Sequence, residues 1–95
     1  MKVQVKFVGL PVPAGIDGNM VELEVDRGTV EEAVVQLIRR YGAGVSDLLL
    51  DSDGKLDDYI VVAVNDTILD DRQELGQYRL TEGDRLFFIL PAGGG

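Results

Sequence analysis

The chain contains neither cysteine nor histidine. Thiolate nucleophiles, disulfides and thiolate metal sites are therefore absent, together with the commonest general base and metal ligand near neutral pH. Carboxylates, hydroxyls and the chain's own C-terminus remain. The 17 Asp and Glu residues make some carboxylate pairs by chance, but none adjoins a nucleophile–base arrangement, so the chain does not read as a stand-alone enzyme. Its densest acidic stretch is Asp51, Asp53, Asp57 and Asp58, whose start resembles a calcium loop. A calcium loop needs an oxygen ligand at its fifth position and glycine at its sixth, where this chain has Lys55 and Leu56. The reading is an ordinary surface turn and no metal site.

The C-terminus is the more informative feature. Gly93, Gly94 and Gly95 follow Pro91 and Ala92. Without Cβ atoms, such a run can lie extended in a slot too narrow for side chains. Four residues from Ala92 onward reach at most about 13–14 Å, enough to carry a terminal carboxylate into another protein's active site. The division expected is a folded domain over residues 1–91 and a flexible tail over 92–95. A frayed end or an appended scar has the same composition. The element that launches the tail distinguishes these readings.

Residues 2–8 alternate, with Val3, Val5 and Phe7 on one side and Lys2, Gln4 and Lys6 on the other, as in a half-buried strand. Residues 9–19 hold prolines and glycines and read as a loop. Residues 20–26 alternate again, with Val21, Leu23 and Val25 against Glu22, Glu24 and Asp26. Thr29 stands three residues before Glu32, which is a capping box. Val30, Val34, Leu37, Ile38 and Tyr41 follow at helical spacing, Arg39 and Arg40 suit the last turn, and Gly42 is placed to end the helix. Residues 48–50 form a short apolar run before a turn signal, and residues 59–65 read as a strand covered on both faces or central in its sheet. Asn65-Asp66 is a turn. Residues 67–79 look irregular, with one short helical turn near 73–76. Residues 85–90 close the domain as a strand that Pro91 stops. Strand, strand, helix, short element, strand, loop, strand is an α+β order. It predicts a ubiquitin-like β-grasp roll: a mixed sheet of four to five strands crossed by one main helix, with the first and last strands paired in the centre.

The length, 95 residues, allows one domain. The net charge is −8, from 9 basic and 17 acidic residues. That disfavours nucleic acid, whose phosphates it would repel, and serves solubility or steering toward a basic partner. No stretch of about 18 apolar residues occurs, and the alternating N-terminus lacks the apolar core of a signal peptide, so no membrane association and a cytoplasmic location are expected.

Residues 80–91, Leu-Thr-Glu-Gly-Asp-Arg-Leu-Phe-Phe-Ile-Leu-Pro, running into the glycines, resemble the C-terminal signature of the MoaD/ThiS sulfur-carrier family. That family includes the small subunit of molybdopterin synthase and the sulfur carrier of thiamine biosynthesis. Residues 61–66, Val-Val-Ala-Val-Asn-Asp, resemble its central strand and turn; residues 2–7 and the Gly28-Thr29-Val30 start of the helix also match. The similarity covers nearly the whole chain and is most specific over residues 80–95. The length of the 48–59 segment resembles the molybdopterin branch more than the shorter thiamine carriers.

The resemblance implies that an E1-like adenylating enzyme uses ATP to activate the Gly95 carboxylate, with Gly94 beside it. The acyl-adenylate then becomes a thiocarboxylate that delivers sulfur to a synthase large subunit or another acceptor, most simply in molybdenum or tungsten cofactor biosynthesis. No cofactor is bound by the carrier itself. The family usually ends in two glycines and this chain in three, so either Gly95 is the reactive end of a longer tail or Gly95 is removed first; we favour Gly95. Alternation places Leu86 and Phe88 toward the core. Phe87 and Ile89 then face outward, where either they meet a partner with Pro91, Ala92 and Gly93 or they pack under the 67–79 segment. The alternatives are a ubiquitin-like modifier conjugated through the same glycine, and a carrier for thiamine or another sulfur-containing metabolite.

Overall fold

The computed structural model describes residues 1–13, 15–16, 18–26 and 28–91. It contains β1 (Lys2–Val8), β2 (Met20–Glu24), α1 (Val30–Tyr41), α2 (Ala43–Leu49), β3 (Val61–Val64), β4 (Thr67–Ile68), a short 3-10 helix (Arg72–Gly76) and β5 (Arg85–Ile89). The sheet order is β2-β1-β5-β3-β4. β1 and β5 run parallel at its centre, with Gln4 opposite Arg85 and Val8 opposite Ile89, while the other pairs are antiparallel. This is the β-grasp roll expected, with five strands, two helices and α1 as the main one.

Each element follows from local chemistry. Val3, Val5 and Phe7 of β1, with Leu86 and Phe88 of β5, are buried against α1, which contributes Val30, Ala33 and Leu37. Phe7 and Phe88 stack with ring centroids 6.1 Å apart, a favourable offset arrangement beyond their area burial. Thr29 caps α1, its Oγ1 accepting from the Glu32 N–H at 3.2 Å. Thr29 also forms a bridge with Arg79, tying the helix start to the chain before β5.

Three local expectations need revision. Gly42, at φ 71°, does end α1, its N–H donating to the Ile38 carbonyl at 2.6 Å. It also begins α2, and residues 43–49 are helical because Val45 and Leu49, four apart, both reach the core. A run of 7 residues is too short for its period to stand out from the apolar cluster at 48–50. The strand expected over 59–65 is only Val61–Val64, and Tyr59 is 77% exposed. Ala63, on its outer side, is nevertheless buried like Val62 and Val64, while Val61 is half-buried; in the register Ala63 lies between Phe87 and Ile68. Residues 67–79 hold the edge strand β4 and the 3-10 helix. Asp71 caps that helix by accepting from the Gln73 N–H, and Leu75 anchors it in the core. β4 follows β3 through a two-residue turn in which Asn65 takes φ 53°, a conformation asparagine tolerates.

No helix among the described residues is long and apolar enough to cross a membrane.

Candidate functional site

The end of β5 is held more firmly than any edge strand could hold it. β1 pairs on one side and β3 on the other through Ile89, and the Leu90 N–H then donates to the Val8 carbonyl at 2.8 Å. Pro91 has no N–H to extend the ladder, so pairing stops there. Gly9 lies beside this point at φ 73°, and a Cβ built on it would lie 2.2 Å from the Leu90 carbonyl oxygen. Only glycine lets the two backbones pass so closely. Gly9 thus sets the path of the chain entering the tail. The loop reading of residues 9–19 missed this role, since the contact arises from parallel pairing with a strand 80 residues away.

The beginning of β5 is pinned as well. Asp84 Oδ2 accepts from the Thr81 N–H at 2.8 Å; its Oδ1 accepts from Asn65 Nδ2 at 3.0 Å and from the Thr81 hydroxyl at 3.1 Å. Asn65 Oδ1 in turn accepts from the Arg85 N–H at 3.0 Å. Partial burial pushes the Asp84 carboxyl upward, but the hydrogen bonds from Asn65 and Thr81 outweigh it, and its pKa lies below the ordinary value.

Between these anchors β5 presents one face to α1 and the other outward. Phe87 and Ile89 lie on the outward face and are half-buried; Pro91 is exposed just beyond them. The register sets two rows across the sheet. One reads Met20, Lys6, Phe87, Ala63, Ile68; the other reads Val8, Ile89, Val61. Met20 is 50% exposed and Ile68 56% exposed, so apolar side chains flank Phe87 toward both edges of this face, with Lys6 set between Met20 and Phe87. Lys6 and Arg85, with Gln4, Met20 and Phe87, line a shallow depression of about 280 Å³. The segment 69–79 does not cover this surface, because Leu69 and Leu75 carry it into the core and the 3-10 helix packs on α1.

Of the residues singled out in the sequence, Phe87, Ile89 and Pro91 are thus brought together along the path to the C-terminus. Ala92, Gly93, Gly94 and Gly95 lie outside the described residues. The acidic turn has a plain structural use: Asp51 Oδ1 accepts from the N–H groups of Asp53 at 2.8 Å and Lys55 at 3.1 Å.

The ThiS family model matches residues 14–95, spanning α1, all the strands except β1, and the glycine tail. The chain belongs to the ThiS family. Among solved structures it is similar to SAMP1, the small archaeal modifier protein 1 of Haloferax volcanii, with 27% identity, a TM-score of 0.79 and 100% of each chain covered. It is also similar to Urm1 of Trypanosoma brucei, with 28% identity and a TM-score of 0.66 over 99% of this chain and 95% of that one. A molybdopterin-converting factor complex of subunits 1 and 2 from Helicobacter pylori 26695 contains the same fold, with a TM-score of 0.58 at 23% identity and full coverage of both chains. A search of the curated proteins found no match. The group to which this ThiS-family chain belongs is that of ubiquitin-like sulfur carriers and modifiers.

Proposed function

We propose that this protein is a sulfur carrier whose reactive group is the Gly95 carboxylate, with Gly94 beside it, and that it serves molybdopterin-type cofactor biosynthesis. The reading rests chiefly on the ThiS match, which runs through residue 95 and so includes a glycine tail that continues from the centre of the sheet. A carboxylate resists nucleophiles, and adenylation gives its carbonyl a good leaving group. In the proposed cycle a Gly95 oxygen attacks the α-phosphate of ATP and pyrophosphate leaves. Hydrosulfide released by the activating machinery then attacks the acyl carbonyl and AMP leaves, giving a thiocarboxylate. Transfer of that sulfur to an acceptor, with water replacing it, restores the carboxylate. The carrier contributes an unhindered terminus and a docking face, so the lack of cysteine and histidine is no obstacle. ATP is bound by an E1-like partner, not by this chain.

The outer sheet face is the proposed docking surface for that partner and for a synthase-type acceptor subunit. The fold likeness to a converting factor formed by two subunits supports looking for such an acceptor. Phe87 and Ile89 supply the apolar centre, Pro91, Ala92 and Gly93 the path onward, and Lys6 and Arg85 favour carboxylates on the partner. The proposed location is the cytoplasm, where ATP is available.

A second reading has a specific support: the similarity to small archaeal modifier protein 1 over the full chain. In it, Gly95 forms an isopeptide bond with lysines of other proteins. Intact-mass spectrometry of the protein from its native cells separates the two. Exchange of one oxygen for sulfur at the terminus is expected for the carrier, while lysines of other proteins that retain residues 86–95 after tryptic digestion, which cuts after Arg85, mark the modifier. Neither product after co-expression with the activating enzyme would overturn both.

A further inference from the structure

A second surface lies on the helix side of the sheet, opposite Phe87. It is a groove of about 820 Å³ between α1, the turn at residues 50–58 and the 3-10 helix. α1 commits Val30, Ala33 and Leu37 to the core, which leaves Val34 and Ile38 half-buried and Val35 37% exposed along the groove. Leu56 continues the apolar floor from the opposite wall.

Both walls are built. The turn is closed by the Leu50–Leu56 bridge, by the Asp51 N–H donating to the Lys55 carbonyl at 2.7 Å, and by the two N–H groups on Asp51 Oδ1. Arg72 braces the other side, its Nη2 donating to the carbonyls of Asp57 at 3.0 Å and Ile60 at 2.7 Å. The groove therefore exists before anything binds, which reduces the ordering cost of binding.

The charge around it is net negative. Glu31, Asp51, Asp53 and Asp58 line it against Lys55 and Arg72. Arg72 is already engaged by the two carbonyls and lies 4.0 Å from Asp58. An apolar floor under a negative rim complements a helix whose Leu-type stripe is flanked by Lys and Arg. It repels nucleic acid. A small-molecule pocket relies on a few buried, convergent polar side chains, and no polar or charged side chain among the described residues is buried.

We propose that this groove is a docking site for a basic amphipathic helix of a partner protein. It lies across the sheet from the Phe87 face and the end of β5, so both surfaces can be occupied at once. The inference does not depend on the chemistry at Gly95.

The test uses the full chain, labelled with nitrogen-15, titrated with a synthetic helical peptide bearing leucines at i, i+3, i+4 and i+7 between lysines and arginines. Amide shifts at Val34, Val35, Ile38, Asp53 and Leu56 are expected, while Phe87 and Ile89 stay in place. Val35→Asp and Asp53→Lys should each weaken binding roughly tenfold. Both positions are exposed, so an unchanged amide spectrum elsewhere verifies the fold, and Asp53→Lys carries the test if Val35→Asp unfolds. Four results would each overturn the proposal: no shifts at millimolar peptide; shifts centred on Phe87; equal binding by a shuffled peptide of the same charge; or equal binding by one with glutamates for the basic residues. Groove shifts that follow protein concentration without peptide would identify a second copy of this chain as the occupant and overturn it too.

Discussion

Phe87 and Phe88 are adjacent, chemically identical and used in opposite ways. Phe88 is fully buried and stacks on Phe7 beneath α1. Phe87 lies on the other face of the same strand, half-buried between Lys6 and Ala63. A strand's period of two separates the tasks without a longer sequence: one face holds the domain together while the other remains available for a partner. The tail continues from that shared strand, so a partner that grips the Phe87 face also knows where the chain leaves it.

The contrast can be broken most severely at the tail. Deleting Gly94 and Gly95 should abolish thiocarboxylate or conjugate formation completely, measured by intact-mass spectrometry, while leaving the thermal midpoint unchanged. A shifted midpoint would mean the tail also serves the fold. Phe88→Ala should cost about 3–5 kcal/mol in urea unfolding, as large aromatic truncations in cores do. In a domain of this size that can be most of the total stability. Gly9→Ala comes next. It strains a positive φ and drives a methyl into the Leu90 carbonyl, for a loss of about 2–4 kcal/mol. It should also slow activation of the terminus at saturating partner, because the chain leaving β5 is displaced; normal activation would disprove its role in tail placement.

Phe87→Ala sharpens the comparison from the other side. Stability should change by less than about 1 kcal/mol, whereas affinity for the activating partner, by calorimetry, should fall by about 2 kcal/mol or roughly thirtyfold. Equal effects on both readouts would erase the distinction between the faces. The smallest effect concerns Asp84. Its native pKa is lowered from an unfolded value of about 3.9. Its contribution is therefore present above about pH 4 and lost as pH falls through the lowered native value. Asp84→Asn should flatten that acid limb of the unfolding free energy, measured with urea, by about a few tenths of a kcal/mol, given its solvent exposure.

Much of this is legible in the sequence. β1 matches its expected limits because six residues of clean alternation, Lys2 to Phe7, make it up, and α1 is set by Thr29 at one end and Gly42 at the other. The outward assignment of Phe87 and Ile89 followed from alternation alone. α2 was not legible, since a helix of 7 residues shows only one pair at i, i+4, and neither was β4, whose two residues carry no period.

What the sequence by itself determined is therefore local: which residues alternate, where a helix is capped, that no thiol or imidazole is available in these residues, and that three glycines follow Ala92. Periodicity and capping act over a few residues and leave their mark in a few residues. Only the tertiary structure decided that β1 and β5 pair in parallel, that Gly9 must yield to the Leu90 carbonyl, and that Ala63 and Ile68 continue the row from Phe87. It alone assembled the acidic groove from α1, a turn and a 3-10 helix. Those features depend on which distant segments become neighbours, and that is set by how the whole chain buries its apolar faces together.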